Sequence, residues 1–213
     1  MINSIDRSKY MSTEEVQRLG TVSEAWAITD LQKGRTRGPL TWIVVDLALQ
    51  TGLRVSEIAL LRVGDFDIRR RSLRVWRLKR RKPVQETIAL SRELADHLRQ
   101  FTEWKAMIDQ PTDAEEPLFV GERGPLTAQG LQLIWKRAIE RAGLPKELSI
   151  HSARHTIAVA LLKKTGNLRL VQKQLGHTDP AVTANLYADV AFEDMQESLN
   201  GLYGNHVGSA KDQ

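Results

Sequence analysis

Residues 40–61 read LTWIVVDLALQTGLRVSEIALL, and this stretch decides how the rest of the chain is arranged. Between Leu40 and Gln50, the residues Trp42, Ile43, Val45, Leu47 and Leu49 make a helix too apolar for a surface position, so it must be a central core helix. Gly52 stands where a helix C-terminus takes a left-handed residue. A second short helix is predicted from about Val55 to Arg62, with Ile58 and Leu61 on its buried side. The junction between them carries Arg54 and, one turn on, Glu57. An arginine at such a junction is pre-set for bidentate contact with a phosphate, and the carboxylate three residues later can hold neighbouring groups in place.

Upstream, Ser12 and Glu15 have capping-box spacing and predict a helix to about Leu19, followed by a loop from Gln32 to Pro39. Downstream, the apolar residues of Asp65–Leu90 fall into short runs (Phe66 and Ile68; Leu73, Val75 and Leu78; Val84 and Ile88) separated by charged turns. They predict a small antiparallel three-stranded sheet. Helical spacing returns at Ser91–Lys105, and an acidic, proline-containing loop covers Gln110–Pro117. Thr127 can cap a helix through Glu140 that stops at Gly143 and Pro145. Further helices are predicted over 151–165, 168–175, 180–188 and 191–203. The expected fold class is mostly α with one small antiparallel β-sheet (α+β). A short extension at 1–11, one domain at 12–204 and a disordered tail at 205–213 make up the expected organisation.

The chain has 213 residues, 41% of them apolar, enough to bury a single-domain core. It contains no cysteine, which excludes disulfides, thiolate metal sites and a cysteine nucleophile, and suits the cytoplasm. Met1–Tyr10 is polar, unlike a signal peptide, and the apolar stretch from Trp42 to Leu49 is interrupted by Asp46 and too short to span a bilayer, so a soluble protein is expected.

The net charge of +5 is unevenly spread: Arg69, Arg70, Arg71, Arg74, Arg77, Lys79, Arg80, Arg81 and Lys82 fall within fourteen positions that hold no acid. A solvated basic hairpin is the plain reading of such a run. Nine cations this close repel one another, however, and a DNA backbone would relieve that repulsion by counterion release.

Neither a glycine-rich phosphate loop nor a dense carboxylate cluster is present, so histidine, arginine and tyrosine carry the chemistry. His151 and His155 have the i, i+4 spacing of metal ligands, but no glutamate follows the first and no third ligand is evident, so no metal is expected. His151 and Arg154, three apart at a helix start, can converge on one anion. His177 lies ten residues before Tyr187.

The ordered set TGLRVSEIALL (51–61), HSARHTIA (151–158) and LGHTDPAVTANLY (175–187) resembles the tyrosine recombinase (phage integrase) family, over nearly the whole chain from about Ser12 to Val190. That resemblance implies a catalytic domain in which Arg54 and Arg154 grip the scissile phosphate, His151 and His177 complete the hydrogen-bonding cage and Tyr187 is the nucleophile. It also implies a general-acid lysine on the β-hairpin. Lys79 is the best match, by the Lys-x-x-Lys-Pro-Val pattern of residues 79–84, with Lys82 as competitor; two residues before Leu90 are inserted relative to that pattern, which bears on the register. Glu57 matches a supporting acidic position. Arg70, Arg71, Arg77, Arg80, Arg81 and Lys82 are the expected DNA contacts.

By the same resemblance the chain is a site-specific recombinase acting on double-stranded DNA through a 3′-phosphotyrosyl intermediate, as a tetramer at the synapse, with no cofactor. Two alternatives share its features: a non-catalytic DNA-binding regulator, and a DNA-relaxing enzyme of type IB topoisomerase chemistry.

The chemistry stands on its own terms. In-line attack on a phosphodiester gathers charge on its non-bridging oxygens, which fixed arginines and histidines stabilise. A phenol of pKa about 10 must lose its proton as it attacks, and the departing 5′ oxygen needs one.

Other candidates have plainer readings. Tyr10 precedes every motif and Tyr203 reads as an apolar anchor; Trp26, Trp42, Trp104 and Trp135 read as core, and His97 and His206 as surface residues without partners. Most relatives carry an additional N-terminal helical domain, so the chain is either a truncated product or a naturally minimal recombinase similar to the fimbrial switch invertases. Phe192, Met195, Leu199 and Leu202 form an apolar stripe on the last predicted helix, which packs either on its own domain or on a neighbouring protomer.

Overall fold

The core helix predicted from Leu40 to Gln50 runs Arg37–Thr51 and buries ten of its fifteen residues, so it has almost no face to give to water. The computed structural model describes residues 10–78 and 82–176 and is built around this rod. Helix α1 (Thr13–Gln32) precedes it and lies against it; the rod itself is α2. Ser12 and Glu15 form the predicted capping box, but α1 is far longer than predicted. Its inward positions after Leu19 are Ser23, Ala27 and Asp30, and such small and polar residues give no apolar signal. Asp30 is buried because its carboxylate accepts the Gly38 backbone N–H at 2.8 Å, closing the turn into α2. The predicted loop over 32–39 shrinks accordingly. Pro39 lies in the first turn of α2, where a backbone N–H would have no helical partner in any case.

After the short α3 (Val55–Ile58) the chain forms the predicted sheet: β1 (Phe66–Asp67), β2 (Ser72–Arg77) and β3 (Val84–Ala89), antiparallel in that order. Ser72 pairs with Ala89 and Arg77 with Val84. Along β2 burial alternates, with Leu73, Val75 and Arg77 inward and Arg74 and Trp76 outward, as the two-residue pleat requires.

Four more helices follow: α4 (Arg92–Met107), α5 (Ala128–Arg141), α6 (Ile150–Thr165) and α7 (Leu168–Leu175). Ser91, Thr127 and Asn167 cap α4, α5 and α7 through side-chain oxygens. Between α4 and α5 lies a hairpin the pattern did not predict, β4 (Val120–Gly121) with β5 (Gly124–Pro125); two-residue strands are too short to show alternation. Lys105 is fully buried, and its ammonium donates to the carbonyls of Pro117 and Leu118 at 2.8 and 3.0 Å. Desolvation pulls its pKa down, partly offset by Glu116.

The main core gathers α2 residues such as Ile43 and Leu47 with Ile58, Leu73, Leu98, Leu118, Leu131 and Trp135. A separate, smaller cluster of Ala158, Leu162, Val171 and Leu175 joins α6 to α7. Trp135 is buried, whereas Trp26, Trp42 and Trp104 are half-buried. No helix among the described residues is long and apolar enough to cross a membrane. The helices predicted over 180–188 and 191–203 lie outside the described residues.

Candidate active site

The site begins at the end of α2. Gly52 has φ +63°, and a Cβ there would come within 2.6 Å of the Ile157 side chain and 2.7 Å of that of Leu175. Glycine is therefore what lets α6 and α7 close onto the end of the rod. That approach delivers Arg154, near the start of α6, to the loop that carries Arg54.

Arg154 is 6% exposed. It donates to the Gly52 carbonyl at 2.6 Å and to the Leu175 carbonyl at 2.7 Å. Burial, and then the nearby Arg54 cation, push its pKa down to about 9; Glu57 works in the opposite direction and Arg77 in the same one. Among the described residues no carboxylate comes within ion-pair distance of Arg154.

Glu57, 1% exposed, organises the remainder. Its Oε1 accepts from the Arg54 guanidinium at 2.9 Å, while Oε2 accepts from the Arg54 backbone N–H at 2.8 Å and from Arg77 Nη1 at 3.0 Å. Arg54 remains partly accessible, with 19% of its side chain exposed. Two guanidiniums, those of Arg54 and Arg77, thus meet at one buried carboxylate, and Arg154 lies near enough to feel the charges of all three groups. Such a cluster has more donors than its own residues consume, and it has the chemistry to receive an anion.

Of the residues singled out in the sequence, the structure brings Arg54, Glu57 and Arg154 together. His151 lies three residues before Arg154 on α6 with its side chain exposed. Lys79, Arg80, Arg81, His177 and Tyr187 lie outside the described residues. Arg70, Arg71 and Lys82 are exposed on the hairpin.

Arg77, expected as a DNA contact, departs from that reading: it is 1% exposed and all three of its guanidinium nitrogens donate inward. The reason is the pleat, which puts it on the same face as Leu73 and Val75. Strand parity was the signal that could have found it. His97 also departs from its expected solitude. Its Nδ1 is 2.8 Å from an Asp46 carboxylate oxygen, and its ring packs 4.7 Å from that of Trp42, tying α4 to α2.

The model of the phage integrase family matches residues 9–194. The tyrosine recombinase XerC of Corynebacterium efficiens is 35% identical over 157 residues, 73% of this chain and 48% of the relative. The tyrosine recombinase XerD of Oceanobacillus iheyensis is 32% identical over 163 residues, 74% and 53% of the two chains. The chain therefore spans about half the length of the curated relatives it matches. In fold it is similar to the XerA recombinase (TM-score 0.68, 22% identity, covering 94% of this chain and 66% of that one). It is equally similar to the Tn1549 transposon integrase in complex with transposon right end DNA (TM-score 0.68, 20% identity, 92% and 68%). The family match spans the loop of Arg54 and the helix of Arg154 alike, and the chain belongs to the phage integrase family.

Proposed function

We propose that this chain is the catalytic domain, residues 12–204, of a site-specific DNA recombinase that cleaves and rejoins duplex DNA through a covalent 3′-phosphotyrosyl intermediate. The observation that carries the reading is Arg154: a buried cation beside a second cation, held by two backbone carbonyls instead of a carboxylate. An isolated buried charge is costly, and a phosphate at this point would offset the cost for both guanidiniums at once.

In this reading Arg54 and Arg154 hold the non-bridging oxygens of the scissile phosphate, joined by His151 and His177. Tyr187 attacks the phosphorus in line with the 5′ oxygen. Its phenolic proton passes to solvent water as the new P–O bond forms, and the old P–O bond breaks as Lys79 delivers a proton to the departing oxygen. Charge that develops on the phosphate is met by donors already in place. The aryl phosphate ester conserves the bond energy, so religation by a 5′ hydroxyl reverses the steps without a cofactor. Arg70, Arg71, Arg80, Arg81 and Lys82 supply sequence-independent backbone attraction. The partners are double-stranded DNA and further copies of the chain, as a tetramer at the synapse, in the cytoplasm.

Several relatives support the DNA reading by what their structures hold, among them XerH bound to its difH substrate and the Tn1549 integrase with DNA. The test is a nicked duplex that loses its short 5′ fragment on cleavage and traps the covalent state. The wild-type chain is expected to give an adduct that survives denaturing electrophoresis, and Tyr187→Phe to give none. Adduct in that variant would remove Tyr187 from the role; its absence from the wild type across a panel of nicked recombination-site duplexes would favour a non-catalytic binder.

A further inference from the structure

We propose that Arg77 is a positioning residue of this site, one that sets the geometry of Arg54 and of the segment entering His177 without touching DNA; the inference rests on the functional reading above. Its three guanidinium nitrogens are divided among three parts of the fold. Nη1 donates to Glu57 Oε2 at 3.0 Å, Nε to Glu86 Oε2 at 3.1 Å, and Nη2 to the Gln174 backbone carbonyl at 3.0 Å. Glu57 in turn holds Arg54 with its other oxygen. One planar fork therefore ties the end of β2, the loop of Arg54 and the C-terminus of α7.

The location gives this tie its meaning. Arg77 is the last residue of β2, two positions before Lys79, and Gln174 is three positions before His177. The chain continues toward both expected groups from two points that Arg77 holds together, the end of β2 and the end of α7. A second contact closes the arrangement: a Cβ at Gly176, φ +65°, would overlap the Arg77 guanidinium, within 2.7 Å of its central carbon. Gly176 and Arg77 are thus fitted to each other, and the glycine leaves the space the fork occupies.

Geometry, and not charge alone, is what the fork supplies. A lysine keeps the cation but is a single point donor on a flexible stem, unable to span three acceptors in one plane. Misplacing a reacting group by about 1 Å costs on the order of 10²-fold in rate.

The test uses the full chain with Arg77→Lys, and with Gly176→Ala as a variant that disturbs the fork from the opposite side. Three quantities are read: single-turnover adduct formation at saturating nicked duplex, the dissociation constant for the same DNA, and the thermal midpoint with and without sulfate as a phosphate mimic. The expected result for Arg77→Lys is an adduct rate lowered by on the order of 10²-fold, with DNA affinity within about threefold of wild type and a clear loss of the sulfate-induced rise in midpoint. Gly176→Ala is expected to repeat the pattern with a smaller loss. Glu86→Gln, which keeps an acceptor oxygen and removes only the charge of this partly exposed partner, should lower the rate least.

An Arg77→Lys rate equal to wild type overturns the proposal, as does a rate that falls only in proportion to a lost folded fraction while the sulfate response per folded molecule is unchanged. A fall in affinity equal to the fall in rate would return Arg77 to the role of a DNA contact and overturn it too. Should the wild type give no adduct, the functional reading fails first and takes this inference with it; should the wild type react and Arg77→Lys react equally well, only the inference fails.

Discussion

The body around α2 and the corner made by α6 and α7 are held by different forces. Around α2, long aliphatic and aromatic side chains such as Ile43, Leu47, Leu98 and Trp135 exclude water on every side. At the corner only Ala158, Leu162, Val171 and Leu175 form a fully buried apolar cluster. There α7 is fastened by polar links: Arg154 to the Leu175 carbonyl, Arg77 to the Gln174 carbonyl, and the Gln174 amide to the backbone of Ala89 in both directions. Apolar burial scales with area and tolerates small shifts, whereas a hydrogen bond is lost over a few tenths of an ångström. The protein thus keeps its stability in one region and its geometric precision in another.

The sharpest way to break this division is Arg154→Ala. It is expected to slow adduct formation by roughly 10²–10³-fold, while DNA affinity at low salt, proposed to come from the hairpin, is expected to change little. Filter binding alongside single-turnover cleavage decides the matter, and parallel losses would mean that chemistry and binding are not divided as described.

Next in size, Leu47→Ala removes a fully buried side chain from the main core and should cost about 2–5 kcal/mol of unfolding free energy. Val171→Ala at the corner should cost closer to 1 kcal/mol, since fewer methyl groups are removed and α7 can yield locally. Denaturant melts give the totals. Native-state hydrogen exchange should show α7 amides opening at lower free energy than those of α2; equal values would make the molecule one cooperative unit and void the comparison.

The smallest expected effect is a pH dependence. The folded-state pKa of Arg154 lies below its ordinary value, at about 9, so the fold bears a cost whenever this group is charged. That cost is full below about 9 and is relieved as pH rises from there toward the unfolded value. A bound anion favours the charged form. Sulfate should therefore raise the thermal midpoint steadily between pH 7 and 8, and progressively less above about 9. A rise that stays constant to pH 10 would mean that the neighbouring carbonyls hold the proton on Arg154 throughout.

Much of this architecture was legible because its signals are repetitive. The apolar excess of residues 40–50 announced a buried rod, serine, threonine and glutamate at the right spacing announced helix starts, and short apolar runs between charged turns announced the sheet. What escaped detection is physically consistent. Helix α1 continues inward on Ser23, Ala27 and Asp30, none of which reads as core until a partner is known. Lys105 is buried because two carbonyls, 12 and 13 positions on, receive it across the loop that follows α4, and His97 finds Asp46 across 51 positions.

Within the site, the meeting of Arg54, Glu57 and Arg154 could be expected from the motifs. The inward turn of Arg77 was hidden by its company. Eight other cations within fourteen positions suggested a single solvated face, whereas a strand sends alternate residues to opposite sides whatever their charge.

The carbonyls that hold Arg154 have an electrostatic meaning. Gly52 caps the C-terminus of α2, and Leu175 is the last residue of α7. Each helix carries the equivalent of roughly half a negative charge at that end, so two macrodipoles converge on one guanidinium. Together they amount to about one diffuse counter-charge, enough to keep the cation inside the protein and too spread out to saturate it. A carboxylate introduced at either helix end, by contrast, would neutralise the guanidinium and leave it without the charge that the proposed phosphate contact needs.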